Sequence, residues 1–263
     1  MRYGNQKPRI DIYHDGDIYI ADKTIELFSY YGVELLPWQK SVLYRWMAID
    51  ENGQWANRDC GLAVPRQNGK TEAIIARIIG GMVFLGEAIV YTAHSDKTVQ
   101  EIKRRVLRFF YDAEPEIREM MTSEFDKEPR SLDYVELRNY GRCVFRTRTR
   151  TNALGTTNDV LIIDESGEYT DAQQEALLPT ISSGRIQNHQ TISAGTPPTI
   201  GSSGTIWPRT RKAVLEGKTT EYCWQEWSVD VITDPFDEDA WYETNPSLGY
   251  FLMRSAVYTE SRT

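Results

Sequence analysis

The octapeptide Val64-Pro65-Arg66-Gln67-Asn68-Gly69-Lys70-Thr71 limits the possible folds of this chain more than any other stretch. It stands between a short apolar run, Asp59 to Val64, that suits a buried strand, and a long apolar run from Lys70 that suits a helix. A strand, a glycine-containing turn and a helix opening on Lys-Thr form the setting of a phosphate-binding loop. Main-chain N–H groups of the turn and of the helix N-terminus take phosphate oxygens. In that setting Pro65, Gln67, Asn68 and Gly69 bind the nucleotide phosphates, Lys70 reaches the β- and γ-phosphates of ATP, and the Thr71 hydroxyl ligates Mg2+. Such loops usually begin with glycine where this chain has Val64. The alternative is a surface turn with a solvated lysine.

A second constraint is Val160-Leu161-Ile162-Ile163-Asp164-Glu165. Burying charge without partners is costly, so an apolar strand ending in two carboxylates points to a ligand at its C-terminal edge. Asp164 would hold magnesium, and Glu165 would orient and deprotonate an attacking water. The alternative is a solvated acidic turn. The remaining pattern predicts strands at 59–64, 88–93, 160–163, 191–194 and 222–229, and a hairpin of 134–137 with 143–146. Helices are predicted at 21–31, 38–49, from 70, to about 111 from a cap at Ser95 or Asp96, at 171–182 and at 204–215, with 113–130 irregular. Alternating strands and helices imply an α/β fold with a mainly parallel sheet covered on both faces.

Further residues suit the same chemistry less specifically. Arg66, inside the loop, can stabilise charge on the γ-phosphate, or pair with a carboxylate such as Glu165. Gln39, in Leu36-Pro37-Trp38-Gln39, can bond both edges of adenine, although an amphipathic helix start with Trp38 in the core explains the stretch equally. Ser193, Gly195 and Thr196 end a strand and can sense the γ-phosphate, or form an ordinary glycine turn. Arg146, Arg148 and Arg150 alternate onto one face; they suit DNA phosphates, an arginine finger to a neighbouring subunit, or plain solvation. Lys103, Arg104, Arg105 and Arg108 form a second basic cluster of the same ambiguity. The three histidines are scattered and give no metal site or triad.

Composition excludes some classes. A net charge of −8 argues against an evenly basic nucleic-acid binder, though not against a local basic strip. The three cysteines, Cys60, Cys143 and Cys223, lack metal-ligand spacing; they suggest free thiols in a reducing compartment, with Cys60 and Cys143 in the core. The first residues lack the apolar stretch of a signal peptide, and the longest apolar run, Ala73 to Leu85, contains Arg77 and is short for a membrane span. A soluble intracellular protein is expected.

Together these motifs resemble the large terminase subunit of tailed bacteriophages, the ATPase that packages DNA. The resemblance runs from Leu36-Pro37-Trp38-Gln39 through the phosphate loop and Tyr91-Thr92-Ala93-His94. It continues through Leu161 to Glu165 and Ser193-Ala194-Gly195-Thr196, to Asp239 through Gly249. It implies a three-layer, RecA-like P-loop NTPase of the additional-strand, catalytic-glutamate type. It implies an N-terminal adenine-contacting extension over 1–55, an ATPase core over 56–230, and a segment over 231–263 leading toward a nuclease domain that lies outside this chain. Gln39 would contact adenine; Arg66, Lys70 and Thr71 would form the phosphate site, Asp164 and Glu165 the metal and catalytic carboxylates, and Ser193 to Thr196 the coupling motif. Implied partners are double-stranded DNA, a portal protein, a small terminase subunit and further copies in a ring, generally a pentamer, in the host cytoplasm on the procapsid, with no membrane. Many relatives carry an Arg-Gly pair before the acidic strand where this chain has Leu154-Gly155, so Arg146, Arg148 or Arg150 would supply the trans arginine. Rival readings are a superfamily-two helicase-like translocase and an ATP-binding assembly module without turnover.

Overall fold

The apolar runs become the strands of one sheet. The structure, a computed structural model, describes residues 2–122, 133–148, 157–181, 184–197, 204–219, 222–231 and 234–262. Its first half comprises β1 (Ile10–Ile12), α1 (Tyr19–Tyr30), α2 (Pro37–Trp46), β2 (Asp59–Ala63), α3 (Lys70–Gly80), β3 (Ala88–Ala93), α4 (Asp96–Asp112) and α5 (Pro115–Arg118). Then come β4 (Tyr134–Glu136), β5 (Arg142–Thr147), β6 (Val160–Ile163), α6 (Asp171–Leu177), β7 (Gln190–Gly195), α7 (Ile206–Leu215), β8 (Tyr222–Glu226), α8 (Glu238–Thr244) and α9 (Arg254–Glu260).

Among the described residues the eight strands lie in the order β1-β8-β2-β7-β6-β3-β5-β4. All neighbours from β8 to β5 are parallel, and the two edge strands, β1 and β4, are antiparallel. β7 lies between β2 and β6, so the strand before the phosphate loop and the strand before the acid pair are one strand apart. This is the additional-strand arrangement that the resemblance implies.

Both faces of the sheet are covered, which is why its central strands are almost continuously apolar. Val160 and Ile162 of β6 join the larger core with Trp38, Trp46, Ile74, Ile78, Ile102 and Phe110, from α2, α3 and α4. Leu161 and Ile163 point the other way, into a smaller cluster with Tyr169, Leu177 and Ile206. All three cysteines are buried and unbridged. Among the described residues no helix is long and apolar enough to cross a membrane.

Several predicted boundaries shift for local reasons. The helix expected to reach residue 49 stops at Trp46, because Ile49 pairs as extended chain with Asp17 and Trp55. The helix expected over 171–182 ends at Leu177 and tightens into a 3-10 turn, Leu178–Ile181. Pro179 has no N–H to donate, so the α-helical ladder is interrupted there although Leu178 itself keeps helical geometry (φ −56°, ψ −38°). α3 runs on into a π-turn, Gly81–Leu85, beside a buried ion pair of Arg77 (Nη1, 2.6 Å) with Glu87. A side chain at Gly81 would collide with that pair, since a Cβ there would lie 2.1 Å from Glu87 Oε2. Within the stretch expected to be irregular, 115–118 is helical, and 123–130 falls outside the described residues.

The two ends of the chain meet. Gly4 N donates to Leu248 O (2.8 Å), Asn5 N to Tyr242 O (2.7 Å), and Trp227 Nε1 to Asn5 O (2.8 Å). Trp241, Leu248, Leu252 and Val257 give this C-terminal layer a small core of its own.

Candidate functional site

The phosphate loop leaves β2 at Val64 and enters α3 at Lys70. Val64 stands where glycine is usual because it still behaves as strand: it is fully buried, and its N–H donates to Gly195 O (3.1 Å). The bend comes later. Gln67 (φ 59°) and Gly69 (φ 85°) both adopt left-handed geometry, which glycine tolerates without cost and glutamine does not. Non-glycine residues held this way concentrate at functional sites.

Two braces fix the loop. On one side Gln39, itself buried, accepts from Leu36 N (2.8 Å) and donates Nε2 to Gly69 O (2.9 Å). Expected as an adenine contact, it already spends one N–H and one lone pair on protein. On the other side Asn68 is fully buried. Its Nδ2 donates to Asn245 Oδ1 (2.7 Å) and Arg66 O (3.1 Å), and its Oδ1 accepts from Ser247 N (3.1 Å). Ser247 Oγ in turn donates to Asn68 O (2.6 Å) and accepts from Trp38 Nε1 (3.0 Å). The Asn68 side chain therefore holds the loop together. Asn245 and Ser247 carried no individual role in the sequence reading; the signal was their place within Asp239 through Gly249, a stretch that shares in the resemblance.

The charged groups of the loop differ in their commitments. Lys70 donates Nζ to Val64 O (3.1 Å) and more weakly to Pro65 O (3.5 Å), so among the described residues its hydrogen-bond partners are two carbonyls of its own loop. Burial pushes its pKa below the usual lysine value, with the Arg66 charge adding to the effect and Asp164 opposing it. Arg66 is exposed and, among the described residues, in no ion pair; pairing with Glu165 is thereby excluded. Gln67 is exposed and donates to Glu260 Oε1 (2.9 Å). Thr71 is half-buried in the first turn of α3.

Asp164 and Glu165 stand at the end of β6, and their two carboxylates go different ways. Asp164 is buried; Oδ2 accepts from Tyr91 OH (2.9 Å) and Oδ1 from Glu165 N (2.8 Å). Burial raises its pKa against the opposing pull of those two donors and Lys70. The Tyr91 hydroxyl is likewise driven well above its usual range by burial and by the Asp164 charge. Glu165 sits in left-handed geometry (φ 53°). Its carboxylate accepts from His94 N (2.8 Å), Ser95 N (3.0 Å) and Thr98 Oγ (2.9 Å). Ser95 occupies the cap position of α4 without making the capping bond, and Glu165 holds the chain there by accepting from the N–H groups of His94 and Ser95 just before the helix.

Arg148 corrects an expectation. Predicted to face DNA or a neighbouring subunit, it is buried, with 5% of its surface exposed. Its guanidinium donates to Thr92 O (3.1 Å), Asp164 O (2.5 Å) and Glu165 O (3.0 Å). It is thus an internal clamp on the acid turn, turned inward because β5 continues past Thr147 beside β3, with Arg148 N on Ala93 O (2.9 Å). Arg146 is half-buried on the same strand, and Arg150 and Leu154-Gly155 lie outside the described residues. The α4 cluster is only partly an open face: Lys103 is buried and Arg105 pairs with Glu72, whereas Arg104 and Arg108 are exposed, Arg108 in a pair with Asp112 (3.0 Å).

The segment expected to couple lies between the two halves of the site. Ala63 is in register with Gly195, and Ile163 with Ser193. Gly195 and Thr196 therefore reach the sheet edge between the phosphate loop and the acid pair, where Thr196 O accepts from Trp207 Nε1 (3.0 Å). Ser193 lies two residues inside and lines a cavity of about 410 Å3 beneath α6 and α7.

The donor set suits a nucleotide with magnesium. Among the described residues no cluster of three or more His, Cys, Asp or Glu could cage a metal. Magnesium needs no such cage where phosphates and waters complete its shell. A buried carboxylate held above its usual pKa and a half-buried ammonium with carbonyl partners are the groups that a bound cation and a bound phosphate would respectively neutralise.

The sequence matches no protein-family model and no curated protein. In three dimensions the chain is similar to the HK97 bacteriophage large terminase, at 16% identity and a TM-score of 0.76, over 92% of this chain and 51% of that one. It is also similar to the yeast DEAD-box splicing factor Prp28, at 14% identity and a TM-score of 0.51, over 88% of this chain and 55% of that one. The chain spans about half the length of each. The likeness establishes a shared α/β fold.

Proposed function

We propose that this chain is the ATPase motor domain of a large terminase, hydrolysing ATP to drive double-stranded DNA into a procapsid. The observation that carries the proposal is convergence at one sheet edge: a braced phosphate loop, whose Lys70 donates to carbonyls of that loop, lies one strand from buried Asp164 and half-buried Glu165. The extent of the likeness to the HK97 protein favours the terminase reading over the helicase-like one.

In this reading Lys70 turns from the carbonyls of Val64 and Pro65 to the β- and γ-phosphate oxygens. Exposed Arg66, at the loop's rim, adds a second cation where charge develops. Asp164 and Thr71 are the residues that hold magnesium, which when bound takes up charge on the phosphate oxygens. Glu165 leaves one or more of its three donors and accepts the proton of the attacking water. The water oxygen bonds to the γ-phosphorus as the bond to the β–γ bridging oxygen breaks, releasing ADP and phosphate. Gly195 and Thr196 lie where a change at the γ-phosphate would be felt. Gln39 offers its remaining N–H to adenine. DNA, a portal, a small subunit and a ring of copies are the partners this function requires, and Arg146 and Arg150 are the residues of the predicted strip left to meet them.

Phosphate release with Mg2+, with and without linear double-stranded DNA, tests the proposal. Magnesium-dependent release that DNA accelerates supports it. ATP binding with no release under either condition would instead favour a binding module in which the Glu165 hydrogen bonds are permanent. Strand unwinding would favour the helicase-like reading.

A further inference from the structure

The turn after α8 places an aromatic ring beside the phosphate loop. Phe251 is 55% exposed, yet its ring tip touches the loop: a Cβ at Gly69 would lie 2.9 Å from Phe251 Cζ and 3.0 Å from Gln39 Nε2. The ring, the Gln39 amide and the loop glycine thus converge on one spot. The turn presenting the ring is rigid. Tyr250 N and Leu252 N both donate to Ser247 O (3.1 and 3.2 Å), and Gly249 N donates to Leu252 O (3.1 Å). Ser247 is itself bonded to Asn68 and Trp38, so the turn and the phosphate loop form one hydrogen-bonded unit. Leu248 and Leu252 point inward to the C-terminal core. Tyr250 stacks on Tyr3, with centroids 4.6 Å apart, whereas Phe251 pairs with no ring among the described residues.

We propose that Phe251 is the stacking platform for the purine base of the bound nucleotide. The proposal rests on the nucleotide-site reading above. An exposed apolar ring held rigidly against a phosphate loop gains by covering itself with a flat base, and a base whose phosphates occupy the loop is delivered to that position. Stacking on an aromatic side chain contributes enough that its loss weakens binding roughly ten-fold. Gln39, at the same spot, would then read the edge of a base whose face lies on Phe251.

The test measures binding of MgATP and of Mg-tripolyphosphate, a probe with no base, to the wild-type chain, Phe251→Ala and Phe251→Tyr by calorimetry. Phe251→Trp adds an indole whose emission a stacked purine quenches. The expected result is roughly ten-fold weaker ATP binding by Phe251→Ala, with Phe251→Tyr close to wild type and tripolyphosphate binding unchanged. The Phe251→Trp signal should be quenched by ATP and not by tripolyphosphate. Unchanged ATP binding by Phe251→Ala overturns the proposal, as does an unquenched Phe251→Trp signal when ATP is bound. Equal loss of ATP and tripolyphosphate also overturns it, because the ring would then only support the loop. If the wild type binds neither probe, the nucleotide-site reading fails first and the proposal with it.

Discussion

At the residue scale, the site is built from groups whose charges the fold disfavours. Burial raises the Asp164 pKa and lowers that of Lys70. The folded state therefore prefers neutral Asp164, and this contribution to stability is present below the ordinary carboxyl value of 3.8 and lost as pH rises through the folded value. Lys70 has the converse dependence, destabilising the fold as pH falls below its lowered pKa. Asp164 when ionised and Lys70 when protonated each destabilise the nucleotide-free chain. Asp164→Asn should accordingly be more stable than wild type by about 1 kcal/mol at pH ~7, with the difference vanishing below about pH 4. Urea denaturation at the two pH values checks it; a gap that instead widens in acid contradicts the assignment. Burial disfavours the Arg148 charge as well, but its guanidinium satisfies three main-chain carbonyls that would otherwise be left without it. Arg148→Met should cost about 2–4 kcal/mol in the same assay, and Arg148→Lys should recover little, because an ammonium cannot reproduce the fork. The positions of Lys70 and Thr71 at the start of α3, and of Asp164 and Glu165 after β6, were legible in the sequence, because apolar runs bounded by turn residues mark those points. The inward turn of Arg148 was hidden, because alternation along a strand assigns a face without saying whether that face is covered. The Tyr91 hydroxyl bond to Asp164 joins residues 73 apart in sequence, and no local pattern encodes it.

At the element scale, α3 links the phosphate loop to the far edge of the sheet. Its C-terminal half is pinned by Arg77, which binds both Glu87 oxygens (2.6 and 3.1 Å) and Gln190 Oε1 (2.9 and 3.1 Å). Gln190 passes the restraint on to Trp46 O and Asn57 O. Removing one partner of such a buried pair leaves an uncompensated charge. Glu87→Gln should therefore lose about 3–5 kcal/mol, whereas Arg77→Met combined with Glu87→Leu should lose much less. Equal losses from the single and double changes in thermal or urea denaturation would show that the pair has no such role. Read from sequence, Arg77 only shortened an apolar run, and its partner was invisible. The central strands and α3 were legible because apolar runs of that length, bounded by turn residues, allow few alternatives. β1, α8 and α9 were not: three to seven residues give too few periods for a face to declare itself.

At the scale of the whole molecule, the two chain ends close over the phosphate loop. Segments expected to be an extension and a trailing linker supply the brace from Asn245 and Ser247, the pairing of β1 with β8, and the ring of Phe251. The phosphate loop is therefore shaped by contacts more than 170 residues away in sequence, such as that of Asn68 with Asn245, and a movement of the C-terminal layer would reach it directly. Such long-range closure could not be read from the motif, which specifies chemistry and leaves the supports open.

The central claim is that the loop and the acid pair form one ATP-hydrolysing site, and single-turnover hydrolysis alongside equilibrium binding of MgATP tests it most directly. The three proteins to compare are wild type, Lys70→Ala and Glu165→Gln. The account predicts that Lys70→Ala binds ATP at least ten-fold more weakly, while Glu165→Gln binds like wild type and hydrolyses at least a hundred-fold more slowly. Glu165→Gln that turns over at the wild-type rate, or Lys70→Ala that binds ATP unchanged, would contradict it.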